Sequence, residues 1–268
     1  MRRIHTVCFL SAALAPSLAA QCLQLGNDPP GAPVAIADDG VRTIALPFAF
    51  PFHGVAYDRV TLCANGCLWL GDAPAQDAGD FRDSPTSFVA RAPRIAVCWD
   101  DWDPDDFASI PAGGGVFFAA DATQASFVWK GIPRFGNPNV LAEMECVLLP
   151  DGSVHLAFGA NMGAPNSSCL TGITRGNGAP ANAVDFAPAP PSGFDDSTGF
   201  QAFTPGNGAA PFDLAGTVLH LVPTTPAAAG GTVRYALSTA ATTACTPSAH
   251  LPMAEASRAV GLGRSEER

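Results

Sequence analysis

Short apolar runs broken by Gly, Pro, Asn or Asp recur along the chain from residue 43 to residue 222, and helical periodicity is essentially absent. Runs of this length bounded by turn formers predict strands. Thr43–Phe52 is apolar and punctuated by proline, as an edge strand would be. Val60–Cys63 and Cys67–Leu70 flank Asn65-Gly66, a tight-turn signal. Val116–Ala119 and Ser126–Lys130 follow. Leu141–Leu149 and Val154–Phe158 flank Pro150-Asp151-Gly152, a second hairpin. In the first of these strands Ala142, Met144, Cys146 and Leu148 fall on one face, with Glu143 and Glu145 on the other. Leu170–Thr174 and Thr217–Val222 complete the set. The intervening stretch 179–210, rich in Pro, Gly and Ala, is expected to run as a long surface loop. Residues 223–268 carry no core pattern beyond a strand at Val233–Leu237 and read as an Ala/Thr/Gly-rich tail, partly disordered.

Composition sharpens this to an all-β, antiparallel β-sandwich. Charged residues are 14% of the chain, against roughly 25% in an average domain. There are 27 glycines and 25 prolines, far more turn formers than helices tolerate.

The first twenty residues stand apart. Arg2 and Arg3, the apolar run Val7–Leu14 and the small residues around Ala19-Ala20 have the layout of a secretory signal. Gln21 stands where a lipid-anchoring signal before Cys22 would carry a small residue, so a free, secreted protein is expected. No apolar stretch reaches the roughly 20 residues of a spanning helix, so no membrane insertion is expected. The expected organisation is a signal peptide over 1–20, one sandwich domain over 21–222 and the tail over 223–268. Loss of Arg2 and Arg3 takes the formal charge from −10 to −12, because residues 1–20 contain no acid. That balance argues against nucleic acid as a partner and leaves an extracellular protein or a glycan. Seven cysteines follow the leader, and in an exported chain at least two disulfides are expected, with at least one cysteine free or intermolecular. Cys22 and Cys245 flank the domain. Cys63-x3-Cys67 has no second ligand pair beside it and reads as buried or bridged rather than as a zinc site.

The chemistry concentrates in Arg94–Asp106, where the strand-like Ile95–Cys98 runs into Asp100, Asp101, Asp103, Asp105 and Asp106, interleaved with Trp99 and Trp102. The bland reading is a solvated acidic loop. Asp101-x-Asp103-x-Asp105 also offers hard oxygen ligands at alternate positions, which suits calcium, the one cofactor the residues suggest. It is not an EF-hand, since Asp106 and Ala112 occupy the places of its Gly and Glu. A third reading is a ligand site, with Trp102 stacking on a sugar and Asp100 and Asp106 accepting its hydroxyls. Enzyme signals are sparse: neither Gly-x-Ser-x-Gly nor His-Glu-x-x-His occurs, and His53, His155, His220 and His250 are scattered. Glu143 and Glu145, with Cα atoms about 6.5–7 Å apart on one strand face, are compatible with a glycosidase pair. Two glutamates on a solvated sheet face explain them equally.

Residues 44–71, from Ile44-Ala45-Leu46-Pro47-Phe48 through Asn65-Gly66 to Gly71, resemble the opening of nidogen-like extracellular domains. The resemblance continues through Ile95–Asp101, Phe127–Pro133, Leu148–Ser153 and Thr171-Gly172-Ile173, and covers roughly residues 42–175. Two departures stand out. Cys63 and Cys67 replace the expected Ser or Thr and aromatic, and the acidic run continues past Asp101. The resemblance implies a β-sandwich of matrix, adhesion or surface proteins without shared catalytic residues. The expected function is a secreted, non-catalytic binding or structural module; the alternative is a carbohydrate-active protein, as lectin or glycosidase.

Overall fold

The computed structural model describes residues 22–75, 79–162, 168–186, 198–204, 211–223, 235–238 and 243–244. In chain order the strands are β1 (Cys22–Leu23), β2 (Ala32–Pro33), β3 (Val41–Phe52), β4 (Val55–Cys63), β5 (Cys67–Leu70) and β6 (Arg94–Trp99). They continue as β7 (Gly115–Ala120), β8 (Ala125–Arg134), β9 (Asn137–Leu148), β10 (Val154–Phe158) and β11 (Cys169–Thr174). The last five are β12 (Asn182–Ala183), β13 (Thr198–Phe203), β14 (Val218–Pro223), β15 (Tyr235–Ser238) and β16 (Thr243–Ala244).

Two seven-stranded sheets result, in the spatial orders β15-β14-β10-β9-β8-β7-β2 and β12-β13-β11-β6-β5-β4-β3. Every pairing within them is antiparallel except β12 with β13. Alternation decides which side chains meet between the sheets. From the first sheet come Phe127 and Trp129 of β8, the predicted Ala142, Met144, Cys146 and Leu148 of β9, and Val154, Leu156 and Phe158 of β10. From the second come Val60 and Leu62, Leu68 and Leu70, and Ile95 and Val97. Burying each large apolar side chain stabilises the sandwich by about 1.5–3 kcal/mol. At Gly131 of β8, φ is +66° and the register shifts, so Ile132 rather than Gly131 continues the inward series. A Cβ there would come within 2.7 Å of the Pro111 ring, and only glycine takes this backbone without strain.

A second, smaller core lies on the outer face of the β6 sheet. Phe88, Ala96, Trp99, Leu170 and Phe200 form it. Phe88 is supplied by a short helix, α1 (Pro85–Ala90), with Ser84 as N-cap accepting from the Ser87 amide at 3.4 Å and Pro85 at its first position.

Four expectations change. The stretch 179–210 contains β12 and β13, and β13 pairs along its full length with β11, so part of the expected loop is a sheet strand. Within the expected tail, the strand expected at Val233–Leu237 is found as β15, an edge strand on β14, and β16, which was not expected, pairs with β1. The rest of 224–268, with Cys245, lies outside the described residues, as does the predicted signal peptide. Cys63, Cys67, Cys98, Cys146 and Cys169 are all buried thiols, so the two expected disulfides are not found among the described residues. Glu145 does not sit on a solvated face. It is fully buried, and its carboxylate accepts from the Gln24 and Leu25 amides at 2.9 Å and from Ser126 Oγ at 2.6 Å. The N-terminal segment is thus pinned across β9. No helix among the described residues is long and apolar enough to cross a membrane.

Candidate metal centre

β6 delivers its acidic continuation to one end of the sandwich. Asp100 is buried, and its Oδ2 accepts from Arg134 Nε at 2.9 Å, while Oδ1 accepts from the Asp101 amide at 2.7 Å. A carboxylate buried to this degree needs such partners. The chain then runs antiparallel to the end of β8. The Phe135 amide donates to Asp101 O and the Asp103 amide to Pro133 O, both at 2.8 Å. Asp103 Oδ1 closes the next turn, accepting from the Asp105 and Asp106 amides at 2.9 and 3.1 Å, the local bond that favours Asp in turns.

Asn65 organises the other half. The Asn65-Gly66 turn forms as predicted, but it dips into the molecule: Asn65 is fully buried, and a Cβ on Gly66 would meet Cys98 O at 2.4 Å. Asn65 Oδ1 accepts from the Trp102 amide at 2.8 Å, while Nδ2 donates to Asp39 Oδ1 at 2.7 Å and to Gly79 O at 2.9 Å. One amide side chain therefore ties the acidic loop to the turn before β3. In that turn Asp39 holds φ of +52°, a conformation Asp tolerates better than most residues, and the Gly40 amide closes it on Ala37 O. The Asp38 amide reaches across to Asp105 Oδ2 at 3.1 Å.

The outcome is a convergence of carboxylates from two distant loops. Asp38, Asp39 and Asp101 each bring one oxygen within 4.8 Å of the others. Two oxygens bound to one calcium ion, at about 2.3–2.6 Å each, can lie up to about 5 Å apart, so the trio fits a single ion. Asp38 Oδ1 is buried without a hydrogen-bond donor. Burial, then Asp39 and Asp38, raise the Asp101 carboxyl to about 6. Burial, then Asp103 and Asp39, raise Asp38 as well. A divalent cation would relieve the repulsion that adds to burial in raising both groups.

Of the residues singled out in the sequence, Asp101 joins the trio, while Asp103 and Asp105 brace the loop and lie outside it. Asp106 receives the Ser109 and Ile110 amides on its carbonyl. Trp102 is fully buried, with Nε1 donating to Cys98 O at 2.8 Å, so its ring is not a platform for a sugar. The exposed aromatics of this end are instead Phe107 and Phe135, 78% and 53% exposed. Asp38, Asp39 and Asn65 were missed. Their only sequence signal is the pair of acids before Gly40, and nothing local links it to position 101. Glu143 and Glu145 form no open pair, since the Glu145 oxygens are taken by the three donors above.

A family model described as NIDO related matches residues 28–120, a segment that contains Asp38, Asp39, Asn65 and Asp101. No curated protein and no solved structure matches the chain. The match supports a nidogen-like domain, and the matched stretch of the two-sheet sandwich runs from the turn before β2 to the end of β7.

Proposed function

We propose that this domain is a secreted, non-catalytic binding or structural module whose acidic end binds calcium through Asp38, Asp39 and Asp101. The observation that carries the reading is the meeting of these three carboxylates from separate loops, oriented by Asn65. Hard carboxylate oxygens suit calcium better than a soft metal. With three protein ligands, water or a partner's oxygens complete the shell, so affinity is modest, on the order of 10⁻⁴–10⁻³ M as in extracellular modules. Millimolar calcium outside cells would keep such a site largely loaded, and its open positions suit a contact with an extracellular protein or glycan. Binding without catalysis is favoured by the internal use of Glu145. A carbohydrate-active enzyme would need its paired acid free.

Thermal unfolding in 10 mM calcium against chelator tests the reading. Stabilisation by mass action is about 1.5–2.7 kcal/mol at roughly 10–100 times Kd, or about 3–8 °C for a domain near 200 residues. The wild type should show this shift, and Asp39→Asn with Asp101→Asn should abolish it. An equal shift in the double variant would refute the site.

A further inference from the structure

The turn that presents Asn65 is bracketed by Cys63 and Cys67, which stand directly opposite one another across β4 and β5. Both are fully buried, and the ionisation of each thiol depends on the other. The neighbouring strand β6 places Arg94 opposite Trp69, two residues along from Cys67. Arg94 is itself fully buried. Its guanidinium carbon lies 3.9 Å from the ring centroid of Trp99, 4.6 Å from that of Trp69 and 5.1 Å from that of Phe88. Among the described residues none of its three guanidinium nitrogens makes a hydrogen bond of good geometry.

Aromatic faces supply part of what a desolvated cation needs. A buried charge without a counter-ion remains costly. The anionisable groups that act on Arg94 are Cys67 first, then Asp80 and more weakly Cys63. Asp80 is already paired with Arg91. Cys67 is left as the group able to answer the charge, by carrying it as a thiolate.

We propose that Cys63 and Cys67 are an oxidisable pair that closes to a disulfide, with Cys67 as the attacking thiolate and Arg94 as its counter-ion. The Cys63 hydrogen bond and, after it, Arg94 hold the Cys67 thiol below its ordinary range despite burial, while the same contact and burial push Cys63 well above it. The oxidant is a small-molecule disulfide, such as oxidised glutathione. The Cys67 thiolate attacks one of its sulfurs, forming a mixed disulfide and expelling one thiolate. Cys63 then attacks the Cys67 sulfur, its proton passes to a departing thiolate, and a second small thiol leaves. Two sulfurs of the protein are oxidised and one disulfide is reduced to one thiol and one thiolate. Access requires the outer-face cover, α1 with Phe88, to lift. The bridge would span only Ala64, Asn65 and Gly66, so its effect is to fix the turn that orients Asp39 and Trp102 rather than to constrain the unfolded chain.

Cys98 and Cys169 also make a thiol contact, on β6 and β11, but burial raises both and no guanidinium accompanies them. They serve as the internal comparison. The full-length reduced protein is incubated folded with oxidised glutathione, quenched, and mapped without reduction. The expected product links Cys63 to Cys67 with loss of two hydrogens, ahead of any Cys98–Cys169 link. Thiolate absorbance of the folded reduced protein at neutral pH should vanish in Cys67→Ser and persist in Cys98→Ser. Arg94→Lys should keep it, and Arg94→Met should lose it and slow oxidation about tenfold or more, as expected when the attacking thiol is neutral. If Arg94→Met does not fold, the wild type and the two cysteine variants decide. A Cys98–Cys169 link formed first, no Cys63–Cys67 link, or absorbance unaffected by Cys67→Ser would overturn the proposal.

Discussion

Replacing Asn65 with alanine removes three hydrogen bonds from a fully buried position and strands the Trp102 amide. A buried polar group left unpaired costs about 1–3 kcal/mol, and Asp39 loses the donor that orients it. Asn65→Ala should therefore lower stability by that amount without calcium and reduce the calcium-induced shift further, both readable by thermal unfolding. An effect on stability alone would separate Asn65 from the site. In the sequence Asn65 is legible only as half of an Asn-Gly turn, because burial of a turn depends on which strands pack over it. Asp101 yields a pH prediction of definite sign. Its folded carboxyl sits at about 6, above the unfolded value of roughly 3.9. The folded state alone binds this proton between those values, so its ionised form costs stability above pH 6 and the cost is relieved as pH falls. Calcium needs the ionised form. The calcium-induced shift should shrink as pH falls from 7 through 6, and a shift constant from pH 7.5 to 5 would contradict the assignment.

Among the elements, β9 was the most legible, because its inward series Ala142, Met144, Cys146 and Leu148 alternates without a bulge over that stretch. β8 ran on past its predicted end because the register shift at Gly131 hides the continuation to Arg134. β13 was not legible at all: Thr198–Phe203 lies in Pro/Gly-rich sequence, and only pairing with β11 defines it. Glu145 shows the same limit, since its donors Gln24 and Leu25 come from more than a hundred residues away. Glu145→Ala would leave two backbone amides and Ser126 without their acceptor. Hydrogen exchange at Gln24 and Leu25 should accelerate by at least tenfold in that variant and much less in Glu145→Gln; unchanged protection would mean the segment is held by other contacts. On β10 and β14, His155 and His220 face each other with ring centroids 4.3 Å apart. Burial, then the facing His220, lowers His155 to about 3. A histidine kept neutral in the fold contributes stability that is present above its unfolded value near 6.5 and lost as pH falls below it. His155→Leu should flatten the acid limb of the stability curve between pH 6 and 4, and an unaltered limb would remove His155 as its source.

At the scale of the whole molecule, two sheets bury the side chains that alternation predicts, and the chemistry gathers where β6 leaves the sandwich. The family match ends at residue 120, yet the two sheets are completed by β8–β15. Fold class was readable because patterning and turn composition are local. The carboxylate trio was only half readable, because Asp101 lies in a conspicuous acidic run while Asp38 and Asp39 lie more than sixty residues earlier. That arrangement distinguishes a site built by the trio from an acidic loop that attracts cations through the run itself. Calorimetric titration of calcium into the wild type, Asp39→Asn and Asp103→Asn decides between them, since each variant removes one negative charge and only the first removes a member of the trio. The wild type should show one site with Kd on the order of 10⁻⁴–10⁻³ M, Asp39→Asn at least tenfold weaker binding, and Asp103→Asn a change of less than about threefold. Equal weakening in the two variants, or no calcium binding by the wild type, would contradict a site built by the trio.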